Sequence, residues 1–579
     1  MMPIREFKAR ALVALFCILA SVLAVAPFFF MGQTLPGGSR WDLRMPDSHD
    51  MYLHYDQMRD FYQGLAAGEL YPRWEQDTNY GFGAPTTCFY PPGVYYLTSE
   101  LYPFFHDWTA VLLVAHVLMM VASGGAAYCL ARRYMSRLPA SIAMTAYIAF
   151  PYHAIDQYRR EAIAELLSFI WMPLILLFVD RLFSAKRSLL PAAGLAMSYG
   201  AFLWSHPPTA YQFALVLCPM LPVLAALRRN WRGLVWTAGG LILGAGLSAA
   251  YMYPAAAEQN LIRHEIMDKI WPYHFTYLFM YAGYSKQYFE FFQLLNTSWR
   301  FYAVAGVIAA CVLFGFGRLR RNRALRDSIL FWVCIGGLAS FLMLPISAPF
   351  GRMIPRIEIG VFAWRMLAIT TLVAALLAGA TIQLSLDARA ERRRSASALL
   401  GILGIAIVSA GVFFSIFDVM APVNNQVAFQ PKPEHLNYAI IPRTAPASTS
   451  DLPRVDRIRL DGAPGSATVR EWMPQHRVID VDSRGATRLF VRTFNYPGWM
   501  AKIDGFPATL SADGATGAML LAVPPGEHSV VIDFLDTPAR RLGARISLLS
   551  FLLTLAALAI GSFKELRPAR ESPASSVVP

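Results

Sequence analysis

Apolar runs about twenty residues long, each closed by a short polar or basic segment, set the rhythm of this chain. A helix that crosses a bilayer needs roughly 20 mostly apolar residues. The pattern predicts twelve spans, at 10–31, 108–131, 138–153, 163–180, 189–204, 209–227, 233–253, 301–317, 328–347, 366–386, 398–416 and 544–563. Every second connecting segment is short and basic: Arg132, Arg133 and Arg137; Arg181, Lys186 and Arg187; Arg228, Arg229 and Arg232; Arg318, Arg320, Arg321, Arg323 and Arg326; Arg389, Arg392, Arg393 and Arg394. Lys564, Arg567 and Arg570 follow the last span. Basic residues favour the cytoplasmic side, so this alternation puts both the N-terminus and the C-terminus in the cytoplasm.

The other connections are longer. Residues 32–107 and 254–300 form outer loops, the second rich in Tyr, Phe and Trp as expected near headgroups. Residues 417–543 alternate with the period of strands, as in Leu489-Phe490-Val491-Arg492-Thr493-Phe494 and Ser529-Val530-Val531-Ile532-Asp533-Phe534. Tyr496-Pro497-Gly498, Asp504-Gly505 and Pro524-Pro525-Gly526 mark turns between them. The expected fold is therefore an α-helical polytopic membrane protein with about 12 transmembrane helices, whose core occupies 1–416. An extracytoplasmic β-sandwich over 417–543 is fastened by the final helix 544–563, and the Pro- and Ser-rich tail 564–579 is expected to be disordered.

Composition sharpens this picture. Of 579 residues, 56% are hydrophobic and 15% charged, against ~25% charged in soluble domains. The net charge of +13 is concentrated in the short segments between apolar runs, which points to membrane topology and away from nucleic acid. Cys17, Cys129, Cys218, Cys311 and Cys334 fall in predicted spans, and Cys88 alone lies in an outer loop, so no outer-face disulfide and no zinc spacing is available. At the N-terminus, Arg5, Lys8 and Arg10 precede an apolar run in which Ala24-Val25-Ala26 resembles a cleavage site. Pro27 and the continuing Phe28-Phe29-Phe30 favour a retained first helix. No internal repeat of the inverted-transporter kind is visible.

Ionisable side chains at a membrane interface are costly and therefore mark candidate chemistry. Asp47, His49, Asp50 and His54 open the first outer loop. On a helix, Asp47, Asp50 and His54 would share one face at i, i+3 and i+7. A carboxylate there suits a general base or a ligand for a divalent metal, with Asp47, Asp50 and His54 as candidate ligands; the alternative is the solvated face of an interfacial helix. Further along, Gly81-Phe82-Gly83-Ala84-Pro85 and Phe89-Tyr90-Pro91-Pro92 form a rigid loop able to lie on a bilayer or stack on a sugar, and Arg73 suits a phosphate. In the block 152–165, Arg160 and Glu165 approach the membrane, and Glu161 and Glu165 would share a helical face, requiring a cation or a metal between them; a structural Arg–Glu pair is the alternative. His206, in Trp204-Ser205-His206-Pro207-Pro208, and Glu258 lie at the outer ends of later spans. Trp364 and Arg365 stand at the outer mouth of the tenth, where an arginine runs against the positive-inside bias and suits a lipid phosphate. No phosphate-binding loop, dinucleotide fingerprint or nucleophile elbow is present, so no nucleotide cofactor is expected.

These blocks, in this order, resemble a known class. SHDMYLHYDQM (48–58), GELYPRW (68–74) and GFGAPTTCFYPPGVYYL (81–97) look like the first outer loop of bacterial 6-pyruvoyl-tetrahydropterin synthase-related membrane proteins and of the YfhO-like family. YHAIDQYRREAIAELL (152–167), WSHPPTA (204–210) and FAWRML (362–367) match further blocks, and NYPGWMAKIDG (495–505) with VPPGEHSVVIDF (523–534) resembles the outer β domain of YfhO-like proteins. Both groups are similar to the GT-C glycosyltransferase superfamily. That resemblance implies a GT-C-like transmembrane core, a donor sugar on undecaprenyl phosphate or another polyprenyl phosphate, and an acidic catalytic base in the first outer loop. Asp50 is the first choice for that base and Asp47 the second, with His54 following the family spacing. Nothing supports a pterin partner. The second carboxylate is left open among Glu161, Glu165 and Glu258.

The expected activity is therefore inverting glycosyl transfer at the periplasmic face of a bacterial inner membrane, onto a cell-envelope glycan or lipid. Asp50 would act as base and Arg365 with Arg160 would take the departing phosphate. Arg73, Glu161, Glu165, His206, Glu258 and Trp364 are the further substrate-binding candidates. The rivals are a transporter or flippase for lipid-linked glycans and a non-catalytic assembly factor.

Overall fold

In the computed structural model of the chain, residues 4–35, 38–44, 47–184, 188–263, 273, 276–280, 286–315, 323–354, 356–357, 362–420, 440–446, 448–450 and 452–566 are described. The expected disordered tail beyond Leu566, the cations Lys186, Arg187, Arg318, Arg320 and Arg321, and much of the outer loop 254–300 lie outside them.

Among the described residues, each of the twelve predicted spans is helical over most of its length, three of them as two consecutive α-helices. Among the described residues, eight helices are long and apolar enough to cross a membrane, nine if a bent pair counts as one. The difference has local causes. The third predicted span is a helix of only 13 residues, Arg137–Ala149. It stops because Phe150 precedes Pro151, which pushes Phe150 into an extended backbone with ψ 156°. The seventh bends by 73° at Ser248, between Trp231–Leu247 and Ala249–Ala257. There the Ser248 N–H is shared between the carbonyls of Gly244 and Ala245, tightening the last turn before a new helix starts. The helix Leu189–Ser205 is a shorter apolar one.

The bundle is organised around Leu367–Ala390, the most buried of the spans. Its small side chains permit this: at Gly379 an added Cβ would stand 2.8 Å from the Pro139 carbonyl oxygen. Helix ends predicted to lie on one side of the membrane converge. Asp180 accepts from Arg133 Nε at 2.9 Å and Arg228 Nη2 at 3.4 Å, and Arg228 reaches Ser328 Oγ at 2.8 Å, so four helices are clasped at one end. The ends predicted for the opposite side gather separately, around Arg160.

Among the described residues, the C-terminal domain is built from nine strands: β1 (Ile458–Gly462), β2 (Gly465–Met473), β3 (His476–Ser483), β4 (Thr487–Phe494), β5 (Trp499–Ile503), β6 (Phe506–Ala508), β7 (Leu510–Ala512), β8 (Ala518–Val523) and β9 (Gly526–Phe534). One antiparallel sheet has the order β1-β4-β8-β7, the other β2-β3-β9-β5-β6. Ile479, Val481, Leu489, Val491, Met519, Leu521, Val530 and Ile532 from both sheets fill one core, so the two pack as a sandwich.

That core is completed by the first outer loop. Of the loop aromatics expected to lie on lipid or stack on a sugar, Phe82 is instead buried in the β domain together with Trp74, whereas Tyr90 is half-buried and edge-on to His54 at 6.0 Å. Trp74 packs on Trp499 at 5.2 Å and Phe534 at 5.5 Å, Phe82 packs on Phe494 at 5.3 Å, and the Phe494 N–H donates to the Phe82 carbonyl at 2.8 Å. Gly83 makes this possible, since at φ +77° a Cβ would lie 2.2 Å from Trp74 Nε1. Arg73, expected at a phosphate, pairs with Asp536 at 2.8 Å and lies over the Tyr71 ring. Glu69 accepts from Gln475 and faces Arg477, which is held between Trp472 and Trp499. Burial raises the Glu69 carboxyl to about 7, with Gln475 and Arg477 opposing that rise.

Candidate functional site

The chemistry-bearing segments meet at the outer end of the bundle. The first is the start of the helix Met51–Ala66. Asp50 stands at its N-cap, and the Asp50 N–H donates to the Arg160 carbonyl at 3.0 Å, tying the outer loop to the site. The expected face of Asp47, Asp50 and His54 is therefore corrected: Asp47 precedes the helix in exposed loop and shares no helical face with His54. His49 is half-buried, its ring edge-on to Phe291 at 5.4 Å, and burial lowers its pKa. His54 is buried. Its Nδ1 lies 3.0 Å from the Tyr95 hydroxyl, which in turn donates to Gln57 Oε1. Burial pulls the His54 pKa down to about 4 against the opposing charge of Asp50, so the ring is neutral near pH 7.

The second segment is 152–165. Pro151–Ile155 opens a turn of helix that widens over Asp156–Arg160, where the Glu161 N–H reaches back five residues to the Asp156 carbonyl. Such insertions are frequent at functional sites. Glu161 follows with φ +56°, a left-handed backbone uncommon for a side chain of this size, and a new helix begins at Ile163. The expectation that Glu161 and Glu165 share a face is overturned by this break. Glu161 turns into the bundle, 3.3 Å from His116 Nε2. Glu165 turns the other way, and its Oε2 accepts from Arg160 Nη1 at 2.7 Å and Arg365 Nε at 3.1 Å, while its Oε1 accepts from the Tyr152 hydroxyl at 2.9 Å. Arg160 also donates to Asp156, whose carboxyl is pushed well above its usual range by burial and by the nearby Glu165.

The remaining contributors are His206 and the segment around Arg365. His206 links the helices Leu189–Ser205 and Pro207–Arg228, and its Nδ1 accepts from the Thr209 N–H at 3.4 Å and lies 2.7 Å from Thr209 Oγ1. Burial, followed by the charge of Arg365, holds its pKa well below normal. Arg365 sits in the turn Ala363–Met366 that leads into the central helix, with its guanidinium 4.8 Å over the Phe362 ring. Trp364 stacks on the same ring at 4.3 Å and meets Phe292 edge-on at 5.2 Å. The Phe362 carbonyl is anchored by Gln212 Nε2 at 2.7 Å.

The structure thus brings together Asp50, His54, Arg160, Glu165, His206, Trp364 and Arg365. It places Asp47, Arg73, Glu161 and Glu258 elsewhere. The Glu258 carboxylate accepts from Arg540 Nη2 at 2.9 Å, from the Tyr496 hydroxyl at 3.4 Å and from Thr537, which fastens the end of Ala249–Ala257 to the β domain and to the start of Pro538–Leu566. Glu258→Gln keeps one acceptor oxygen, turns the other into an NH2 donor and removes the charge facing a buried guanidinium. A loss of about 1–3 kcal/mol is expected, seen as faster proteolysis in the β domain; cleavage at the wild-type rate would refute the fastening role.

Asp156, Tyr152, Tyr95 and Gln57 were not among the sequence-derived candidates. Asp156 was accessible, since it stands four residues before Arg160. Tyr95 carries no such signal, because its partners come from another helix. Among the described residues, no group of three or more His, Cys, Asp or Glu side chains has the geometry of a metal site, so Asp47, Asp50 and His54 do not form one.

No family model matches the chain, and no curated protein does. Among solved structures it is similar to archaeal oligosaccharyltransferase AglB from Archaeoglobus fulgidus, in complex with an inhibitory peptide and a dolichol-phosphate, at 14% identity and TM-score 0.43 over 74% of this chain and 57% of that one. It is also similar to the Archaeoglobus fulgidus oligosaccharyltransferase in its apo form (12%, 0.42, 72% and 56%) and in complex with Zn and sulfate (15%, 0.38, 72% and 54%). The chain spans a little over half the length of these structures. These comparisons do not extend to the YfhO-like or pterin synthase-related families.

Proposed function

We propose that this chain is an inverting glycosyltransferase of GT-C type. It takes a sugar from a polyprenyl-phosphate carrier, undecaprenyl phosphate in a bacterial inner membrane, and places it on a periplasmic glycan or lipid. The observation that carries the reading is the juxtaposition, at one end of the bundle, of Asp50, whose backbone N–H donates to the Arg160 carbonyl, with two arginines that share Glu165. A base and a cationic phosphate receptor are the two things that displacement at an anomeric carbon requires. Asp50 removes the proton of the attacking hydroxyl, the oxygen bonds to the anomeric carbon, and the carbon–phosphate oxygen bond breaks with its electron pair leaving on the phosphate. Arg365 and Arg160 stabilise that developing charge, and Glu165 holds the two arginines in place. Trp364 and Phe362 provide an apolar shelf beside them. The energy comes from the activated donor, in keeping with the lack of a nucleotide-binding motif.

The test is mass spectrometry of lipid extracts from a deletion strain carrying wild type, Asp50→Ala or Asp50→Asn. Both variants are expected to be present in the membrane, to accumulate a sugar-loaded polyprenyl phosphate and to lack a glycan modification. Wild-type lipids in both would remove Asp50 as the base and favour a transporter or assembly role.

A further inference from the structure

We infer that His54 and His206 are locked in opposite tautomers, so that His54 offers a bare Nε2 to a sugar hydroxyl and His206 offers an Nε2–H to a phosphate oxygen. The ligand classes rest on the transfer reading above; the tautomers do not.

His206 is the simpler case. A backbone N–H can only donate, so the Thr209 N–H contact makes Nδ1 an acceptor. With Nδ1 as the acceptor, the Thr209 hydroxyl, 2.7 Å from the same nitrogen, must be the donor in that contact. In a neutral ring the proton must then sit on Nε2.

The His54 proton is fixed through a chain of three groups. The Tyr95 hydroxyl has one proton, and it is directed to Gln57 Oε1. The same oxygen can therefore only accept from the imidazole, 3.0 Å away, which fixes the proton on Nδ1 and leaves Nε2 bare. Gln57 stands one helical turn after His54 and Tyr95 comes from the helix Gly93–Phe105, so the tautomer is set by two elements at once.

The two rings lie near the same charges. Each is close enough to Arg160 to feel its charge, and His206 feels a charge on His54. Among the described residues, neither Nε2 makes a hydrogen bond. One acceptor and one donor, both uncharged, therefore flank the Arg160–Glu165–Arg365 group. A glycosyl phosphate presents the complement: hydroxyls that donate and phosphate oxygens that accept. Tyr95, Gln57 and Thr209 act as positioning residues.

Full-length protein with ¹⁵N-labelled histidine, in lipid nanodiscs at pH 7, tests the tautomers directly, with H54N and H206N identifying the two spectra. The expected result is Nδ1–H for His54 and Nε2–H for His206, with Y95F erasing the His54 preference and leaving that of His206. The same tautomer at both sites overturns the proposal, as does a His54 spectrum indifferent to Y95F. A reversed Gln57 amide would appear as Nε2–H at His54 and overturn it equally. The ligand assignment is read separately. Gln carries its amide nitrogen where His carries Nε2, so H206Q is expected to retain kcat/KM at least roughly tenfold above H206N. Equal values overturn the phosphate contact while the tautomers stand. Absence of transfer by wild type overturns the transfer reading and the ligand assignment with it, again without touching the tautomers.

Discussion

Glu165→Ala is expected to destabilise the protein by about 3–5 kcal/mol, the usual consequence of removing one partner from a buried ion pair. Glu165 is fully buried and its Oε2 accepts from both Arg160 and Arg365. Four ionisable side chains meet here, Asp156, Arg160, Glu165 and Arg365, and deletion of Glu165 leaves two guanidiniums facing Asp156. Asp156 already accepts from Arg160, and burial, the larger cause of its raised carboxyl, persists when Glu165 is removed, so it replaces Glu165 only in part. Against a typical total of about 5–15 kcal/mol, a loss of this size removes much of the folded population. Glu165→Gln keeps the acceptor for the Tyr152 hydroxyl and most of the packing, so its loss should be smaller. Thermal unfolding in one detergent, with wild type alongside, measures both. Unfolding of the alanine variant at the wild-type temperature would show that the two arginines find other partners and that Glu165 does not hold them.

Arg365→Lys should do the reverse, leaving the fold nearly intact and lowering transfer by roughly 10²–10³-fold, the range seen when an oxyanion-stabilising donor is lost. Lysine keeps a positive charge beside Glu165 and near the Phe362 ring, though not the flat stacking of a guanidinium. It lacks the planar fork that lets one arginine bind Glu165 through Nε and a phosphate through its other nitrogens. The ammonium must choose between them, and the buried carboxylate wins. Turnover of a glycosyl polyprenyl phosphate, with thermal unfolding as the control, separates the two outcomes. Full activity in a stable Arg365→Lys protein would move the phosphate away from Arg365 and leave Arg160 as its receptor.

The sequence by itself determined the layers. Apolar runs of bilayer length placed all twelve spans on helices, and period-two alternation with Gly–Pro turns placed strands in 458–534. Both are local signals, set by the repeat of the element and readable from neighbours in the chain. Ionisable side chains beside apolar runs at Asp50, Arg160, His206 and Arg365, singled out by their local cost, converge in space. Only the tertiary structure decided the partners. Glu161 and Glu165 diverge because a widened turn and a left-handed residue lie between what an unbroken helix would have aligned. Glu165 meets Arg365 across 200 positions, and Glu258 meets Arg540 across 282. Phe82 reads as a ligand aromatic in the sequence, yet the β domain closes over it. The physical reason is the same in each case. Hydropathy and period act along the chain within a turn or two. The pairing of a buried charge is set by whichever distant segment the packed core brings within about 3 Å, the reach of a hydrogen bond.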